Sequence, residues 1–229
     1  QAIAAGENHT VALKADGSVW TWGSNDSGQL GSDTSSTPLP VMAEGVSNVV
    51  AIAAGADTSI ALTADGSVYT WGGGENNATK VLDNATQVDA KGEQFTAVSV
   101  DGSAYAWNKN ETPTKVDGLS NVITSAAGGN HAMAVLSDGN VYTWGANESG
   151  QLGIGSVDDK STPQKVSFDL AVGEYIIRIS AGDNFAMALT SAGDVYVWGN
   201  NDYSQMGLGN TMAHSCLLYT SPSPRDGAT

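Results

Sequence analysis

Asp138-Gly139-Asn140-Val141-Tyr142-Thr143-Trp144-Gly145 decides the fold, because its pattern recurs along the chain. Asp-Gly between two apolar runs is a strong hairpin signal: the tight turn needs a positive φ, which glycine adopts without steric penalty. The residues after the turn alternate with a period of two, so Tyr142 and Trp144 share one strand face and Val141 and Thr143 share the other. Both faces are apolar or small. A strand of that kind belongs to a sheet covered on both sides, unlike a sheet with one wetted face.

The same spacing returns five times. Gly17 precedes Trp22, Gly66 precedes Trp71, Gly102 precedes Trp107, Gly139 precedes Trp144 and Gly193 precedes Trp198, each by five residues. An aromatic stands two residues before each tryptophan (Trp20, Tyr69, Tyr105, Tyr142 and Tyr196), and glycine follows it in four copies as Gly23, Gly72, Gly145 and Gly199. Asp-Gly makes the turn in four copies and Ala192-Gly193 in the fifth. Such a unit cannot bury its faces alone and must stack on its own copies.

Ahead of each hairpin lies another apolar segment, as at 48–54, 121–127 and 175–181, which reads as an inner strand. A fourth segment follows a Thr-Pro or Thr-Lys signal at 40–42, 80–82, 115–116 and 165–168. Four strands per unit is the make-up of a propeller blade, and large aromatics on one face of every copy fill the gap between blades. The fold expected is all-β, a propeller of four-stranded blades with five in view over residues 1–210.

The copies differ mainly after the tryptophan. Steps between successive tryptophans are 49, 36, 37 and 54 residues. The excess is an insert with a motif of its own: Asn25-Asp26-Ser27-Gly28-Gln29-Leu30-Gly31, Asn147-Glu148-Ser149-Gly150-Gln151-Leu152-Gly153, and Asn201-Asp202-Tyr203-Ser204-Gln205-Met206-Gly207. From Met212 on the register is lost, so residues 211–229 are expected to be a tail without a fold, disordered or a translated sequencing artefact.

Together, Ala-Gly-x-x-His, Asp-Gly-x-Val-aromatic-Thr-Trp-Gly and Asn-x-x-Gly-Gln-Leu-Gly resemble the regulator of chromosome condensation repeat family, over about residues 1–210. The resemblance implies blades of a seven-bladed ring, here incomplete because the chain opens inside a repeat. The third copy departs from the pattern, with Asn108 after Trp107 and Lys91 at a glycine position. Two blades lack the insert, and short blades of that kind are similar to bacterial members, including secreted inhibitor propellers. The resemblance therefore favours an extracellular or cell-surface bacterial setting and a monomeric ring when complete.

Composition narrows the partners. The 24 acidic against 9 basic residues give a net charge of −15, a field that repels nucleic acid and anionic lipid, and no basic run interrupts it. No apolar stretch is long enough to span a bilayer. A single Cys permits neither an intrachain disulfide nor a thiolate cluster.

Candidate chemistry meets a plainer reading at each place. His9 and His131 could shuttle protons, yet Thr58, Gln94 and Phe185 hold the same position in other copies, which marks a strand start. The turn aspartates Asp16, Asp65, Asp101 and Asp138 sit one to a hairpin, too far apart for paired carboxylates. Val157-Asp158-Asp159-Lys160 lacks calcium-loop spacing, and Gly72-Gly73-Gly74 has no Lys-Ser/Thr after it, so it is a turn rather than a phosphate loop. No catalytic residue, metal or cofactor is expected.

The expected function is a scaffold that binds a protein through loops on one face, around residues 32–37, 154–161 and 168–174, with Trp20, Asp33, Asp158 and Asp159 as candidate contacts. Guanine-nucleotide exchange on a small GTPase is the alternative that the resemblance implies. A secreted enzyme inhibitor or carbohydrate-acting propeller is the third.

Overall fold

The computed structural model describes residues 1–207 and 209–220. Every regular element among them is a β-strand, and the chain divides into two compact units, Gln1–Val116 and Asp117–Thr229. The first unit holds three four-stranded antiparallel blades. Blade one is β1 (Ala2–Ala5), β2 (His9–Leu13), β3 (Val19–Gly23) and β4 (Thr37–Met42); blade two is β5 (Val49–Ala54), β6 (Thr58–Thr63), β7 (Val68–Gly72) and β8 (Glu75–Leu82); blade three is β9 (Ala85–Lys91), β10 (Gln94–Ser99), β11 (Ala104–Asn108) and β12 (Thr114–Lys115). The second unit holds blade four, β13 (Val122–Ala127), β14 (His131–Leu136), β15 (Val141–Gly145) and β16 (Lys160–Lys165), and blade five, β17 (Ile176–Ala181), β18 (Phe185–Thr190), β19 (Val195–Gly199) and β20 (His214–Thr220).

The hairpins fall where Asp-Gly places them. In blade four Val135 faces Val141 and His131 faces Gly145, with Gly139 at φ 81° in the turn. The aspartate closes the turn from its side chain, since Asp138 Oδ1 accepts the Asn140 amide at 3.0 Å, as Asp16 does for Ser18, Asp65 for Ser67 and Asp101 for Ser103. Each carboxylate thus staples its own turn. In blade five, where Ala192 replaces aspartate, the Thr190 hydroxyl accepts the Asp194 amide instead. The Ser99 hydroxyl, then the Ser103 amide, hold Asp101 down to about 2.

Burial on both strand faces follows. Val141, Thr143 and Trp144 are all buried, and so are Val68 and Trp71. The cores lie between blades rather than within them. Trp71 packs with Val11, Leu13 and Val49 across blades one and two, Trp107 with Ile60, Val68 and Phe95 across blades two and three, and Trp198 with Met133, Val135 and Val141 across blades four and five. Trp22 is only half-buried, so the tryptophan of the first repeat does not share that depth.

Backbone hydrogen bonds join the same blades at the inner-strand turns, and the first three blades at the hairpin end as well. At the turns after the inner strands, Glu7 N donates to Ala56 O, Ala56 N to Gly92 O and Gly129 N to Gly182 O. At the hairpin end, Val49 N donates to Gly17 O and Ala85 N to Gly66 O.

Three expectations need correction. Outer strands begin earlier than their Thr-Pro signals suggest, at Thr37 and Glu75, and the fourth runs Lys160–Lys165 rather than over 165–168. Edge position tolerates Pro38, Pro40 and Pro163, because the missing N–H is on the unpaired side of the ladder. Phe168, freed from the strand, packs edge-on against Tyr196 and Trp198 at 5.2 and 6.0 Å between ring centroids. Second, Asn48 and Asn121 precede their strands in left-handed turns, at φ 54° and 56°. Third, where a tail without a fold was expected, His214–Thr220 pairs with β19 as the outer strand of blade five; residues 221–229 lie outside the described residues.

Candidate functional site

The insert is a loop fastened by its own motif. Asn25 Oδ1 accepts the Leu30 amide at 2.9 Å while its Nδ2 donates to the carbonyls of Ser32 and Thr34. Asn147 repeats this with Leu152, Ser156 and Asp158, and Asn201 with Met206 and Asn210. The glutamine closes a smaller loop: Gln29 Oε1 accepts Ser27 N, Gln151 Oε1 accepts Ser149 N and Gln205 Oε1 accepts Tyr203 N, each at 2.9 Å. Asn147, Gln151 and Leu152 are buried, so these bonds are shielded from water.

The fastened half of the insert also receives the next blade. Trp71 Nε1 donates to the Gln29 carbonyl at 3.0 Å, and Trp198 Nε1 to the Gln151 carbonyl at 2.8 Å. Within each insert's own blade, Thr21 and Thr143 hydroxyls donate to the carbonyls of Leu30 and Leu152 at 2.7 and 2.8 Å. Gly153 is obligatory at its seat: a Cβ there would stand 2.7 Å from Trp198 Nε1. Gly28, Gly31 and Gly150 complete the same turns. Sequence reasoning found this motif as a repeat and missed that it forms the seat for the following tryptophan.

His9 and His131 are closed under their own inner-strand turns. A Cβ on Gly6 or Gly128 would meet the imidazole at 2.2 Å, and Phe185 fills the same place over Gly182. That is the physical content of Ala-Gly-x-x-His. His9 Nε2 lies 3.0 Å from the Ser59 hydroxyl, which in turn donates to Gln29 O. Burial pushes His9 below the ordinary histidine range and His131 down to about 4. Both are neutral packing groups at pH 7.

Past the fastened half, the loops reach solvent. Asp33 is exposed. Asp158 is exposed with Lys160 at 3.8 Å, and Val157 beside it is 57% exposed. Asp159 is exposed yet committed, its Oδ1 accepting Asn147 N at 2.7 Å. Trp20 is half-buried on the blade-one sheet, with its indole N–H on the Ser18 hydroxyl and the Lys14 ammonium 5.1 Å from the ring. Antiparallel order separates the loops: residues 154–161 join β15 to β16, whereas 168–174 leave the opposite end of blade four, so the expected single face does not hold within that blade. A cleft of about 790 Å³ runs between them along blades four and five, lined by Ile154, Lys165, Asp169, Glu174 and Tyr196.

Five four-stranded antiparallel blades, each carrying the hairpin tryptophan and three carrying the insert, define an incomplete β-propeller. The chain belongs to the RCC1-like domain family, whose sequence profile matches residues 1–226. It is 31% identical to the ultraviolet-B receptor UVR8 of Arabidopsis thaliana over 92% of this chain and 43% of that protein, and 29% identical to the human E3 ubiquitin-protein ligase HERC2 over 91% of this chain and 4% of the ligase. The chain thus spans less than half the length of either relative. Among solved structures, Prp20p of Saccharomyces cerevisiae, described with its binding to Gsp1p and histones, superposes with a TM-score of 0.83 at 26% identity, over 98% of this chain and 66% of that one.

Proposed function

We propose that the chain is a non-catalytic scaffold that recognises a protein partner through the loops that follow its inserts. The observation that carries this reading is that Asn25 and Asn147 hold the backbone of their inserts from within, through carbonyls as far along as Thr34 and Asp158, while the side chains of Asp33, Val157 and Asp158 stay exposed. A rigid base under a varied tip is how loops acquire specific partners without disturbing the scaffold. Prp20p, whose structure this chain resembles, is described as binding Gsp1p and histones, which supports protein recognition by this family. The excess of carboxylates, with Asp33 and Asp158 at the tips, favours a partner with a basic surface. The burial of both inner-strand histidines supports the non-catalytic part.

The test is capture by the full chain followed by mass spectrometry, comparing wild type with Asp33→Lys and Asp158→Lys. We expect a basic protein to be retained by wild type and lost from at least one variant of unchanged melting temperature. Equal retention by both, and by variants carrying Gly-Ser replacements of 32–37, 154–161 and 168–174, rejects the reading. Selective capture of a nucleotide-free small GTPase would shift it toward exchange activity.

A further inference from the structure

The first unit has two joints between blades, and only one contains an insert. Between blades one and two, two consecutive insert carbonyls are used: Gln29 O accepts the indole of Trp71 from the following blade, and Leu30 O accepts the hydroxyl of Thr21 from its own. The joint between blades four and five repeats both bonds with Gln151, Trp198, Leu152 and Thr143. Blades two and three have the same two donors, Thr70 on β7 and Trp107 on β11. Blade two, however, follows its tryptophan with Gly72-Gly73-Gly74 and supplies no Gln-Leu.

A cleft of about 510 Å³ stands there, lined by Thr70, Trp71, Gly74, Phe95, Trp107 and Lys109. Its volume falls in the range of small-ligand pockets. Thr70 is half-buried, whereas Thr21 and Thr143 are fully buried beneath their leucine carbonyls. Among the described residues, neither the Thr70 hydroxyl nor the Trp107 indole N–H has a protein acceptor. Thr58, which also lines the cleft and is 3% exposed, has an unpartnered hydroxyl as well. Asn108 holds the position of the glycine that lies under the glutamine elsewhere, and its side-chain amide is turned aside to Glu111.

We propose that this cleft is a binding site for a peptide turn of Gly-Gln-Leu-Gly chemistry supplied by another polypeptide, with two consecutive carbonyls accepting from Trp107 and Thr70. The occupant is defined by what fills the corresponding joints in this same chain. Both donors are held by the scaffold at the registers used at those joints, and glycines on either side of Gln-Leu let the peptide turn between two blades. The site is separate from the presented loops, so its failure leaves the scaffold reading untouched.

The test uses the full chain, ¹⁵N-labelled on tryptophan, titrated with a synthetic peptide of the sequence of residues 25–32, Asn-Asp-Ser-Gly-Gln-Leu-Gly-Ser. We expect the Trp107 indole resonance to move, and Thr70→Val to weaken the peptide by about fivefold, the loss of one hydrogen bond. Insertion of Asn-Asp-Ser-Gly-Gln-Leu-Gly after Gly73 should occupy the cleft from within and abolish peptide binding. A Trp107 resonance that stays fixed to millimolar peptide overturns the proposal. So does equal movement with a scrambled peptide, or an affinity unaffected by Thr70→Val.

Discussion

Trp198 Nε1 lies 2.8 Å from the carbonyl oxygen of Gln151, 47 residues earlier in the chain, and both residues are buried. Gln29 O, the matching acceptor, takes a second donor from the Ser59 hydroxyl at 2.9 Å. Losing the indole therefore strands one carbonyl and not the other. Trp198→Phe should cost about 1 kcal/mol more than Trp71→Phe, the difference an unsatisfied buried acceptor makes. Urea midpoints of the two variants check this.

Gly153 and Gly173 both have left-handed backbones, at φ 67° and 87°, but only Gly153 faces an indole. Gly173→Ala should cost about 1 kcal/mol of backbone strain alone. Gly153→Ala adds a collision with Trp198 and should cost roughly 2–4 kcal/mol. Thermal melts of the pair separate strain from contact.

His131 makes the acid limb of stability steeper. Its folded value of about 4 lies below the unfolded one, so between about pH 6.5 and 4 the unfolded chain binds the extra proton. The contribution is complete above pH 6.5 and falls away toward pH 4, amounting to roughly 3 kcal/mol. His131→Phe, copying Phe185 of blade five, should flatten that limb. Denaturant midpoints measured from pH 7 to 4 show whether it does.

Asn147 fastens residues 152–158 through its buried amide. Asn147→Ala leaves the Leu152 amide and two carbonyls without partners, a loss of roughly 2–4 kcal/mol if nothing relaxes. Limited proteolysis should then cut within 154–161 well before wild type is cut there.

The hairpins were legible because Asp-Gly and the five-residue step to tryptophan are both local. The insert's role was not, since a carbonyl that accepts an indole belongs to the backbone and leaves no mark on residue identity at position 151. The nearest sign of it was the recurrence of Thr21, Leu30 and Trp71 as Thr143, Leu152 and Trp198, and Thr70 and Trp107 recur without the leucine, so the register had to be seen. Outer strands were misjudged for a similar reason: edge prolines such as Pro38 and Pro163 mimic loop punctuation when pairing on one side cannot be seen. The candidate contacts Asp33 and Asp158 were readable only as charge within the inserts, because a partner's shape is not written in the loop proposed to meet it.

At the joint without an insert, Lys109 of blade three reaches across to Asp57 of blade two at 2.8 Å, with Glu93 at 3.7 Å, and the Asp57 carboxylate holds the ammonium above the ordinary lysine range. The neighbouring joint is closed by neutral hydrogen bonds under tryptophan. Mobile ions weaken the first kind of closure and hardly touch the second. Ionic strength therefore acts on the first unit at the seam that this ion pair crosses, beside the backbone bonds from Ala56 N to Gly92 O and from Ala85 N to Gly66 O that hardly feel it.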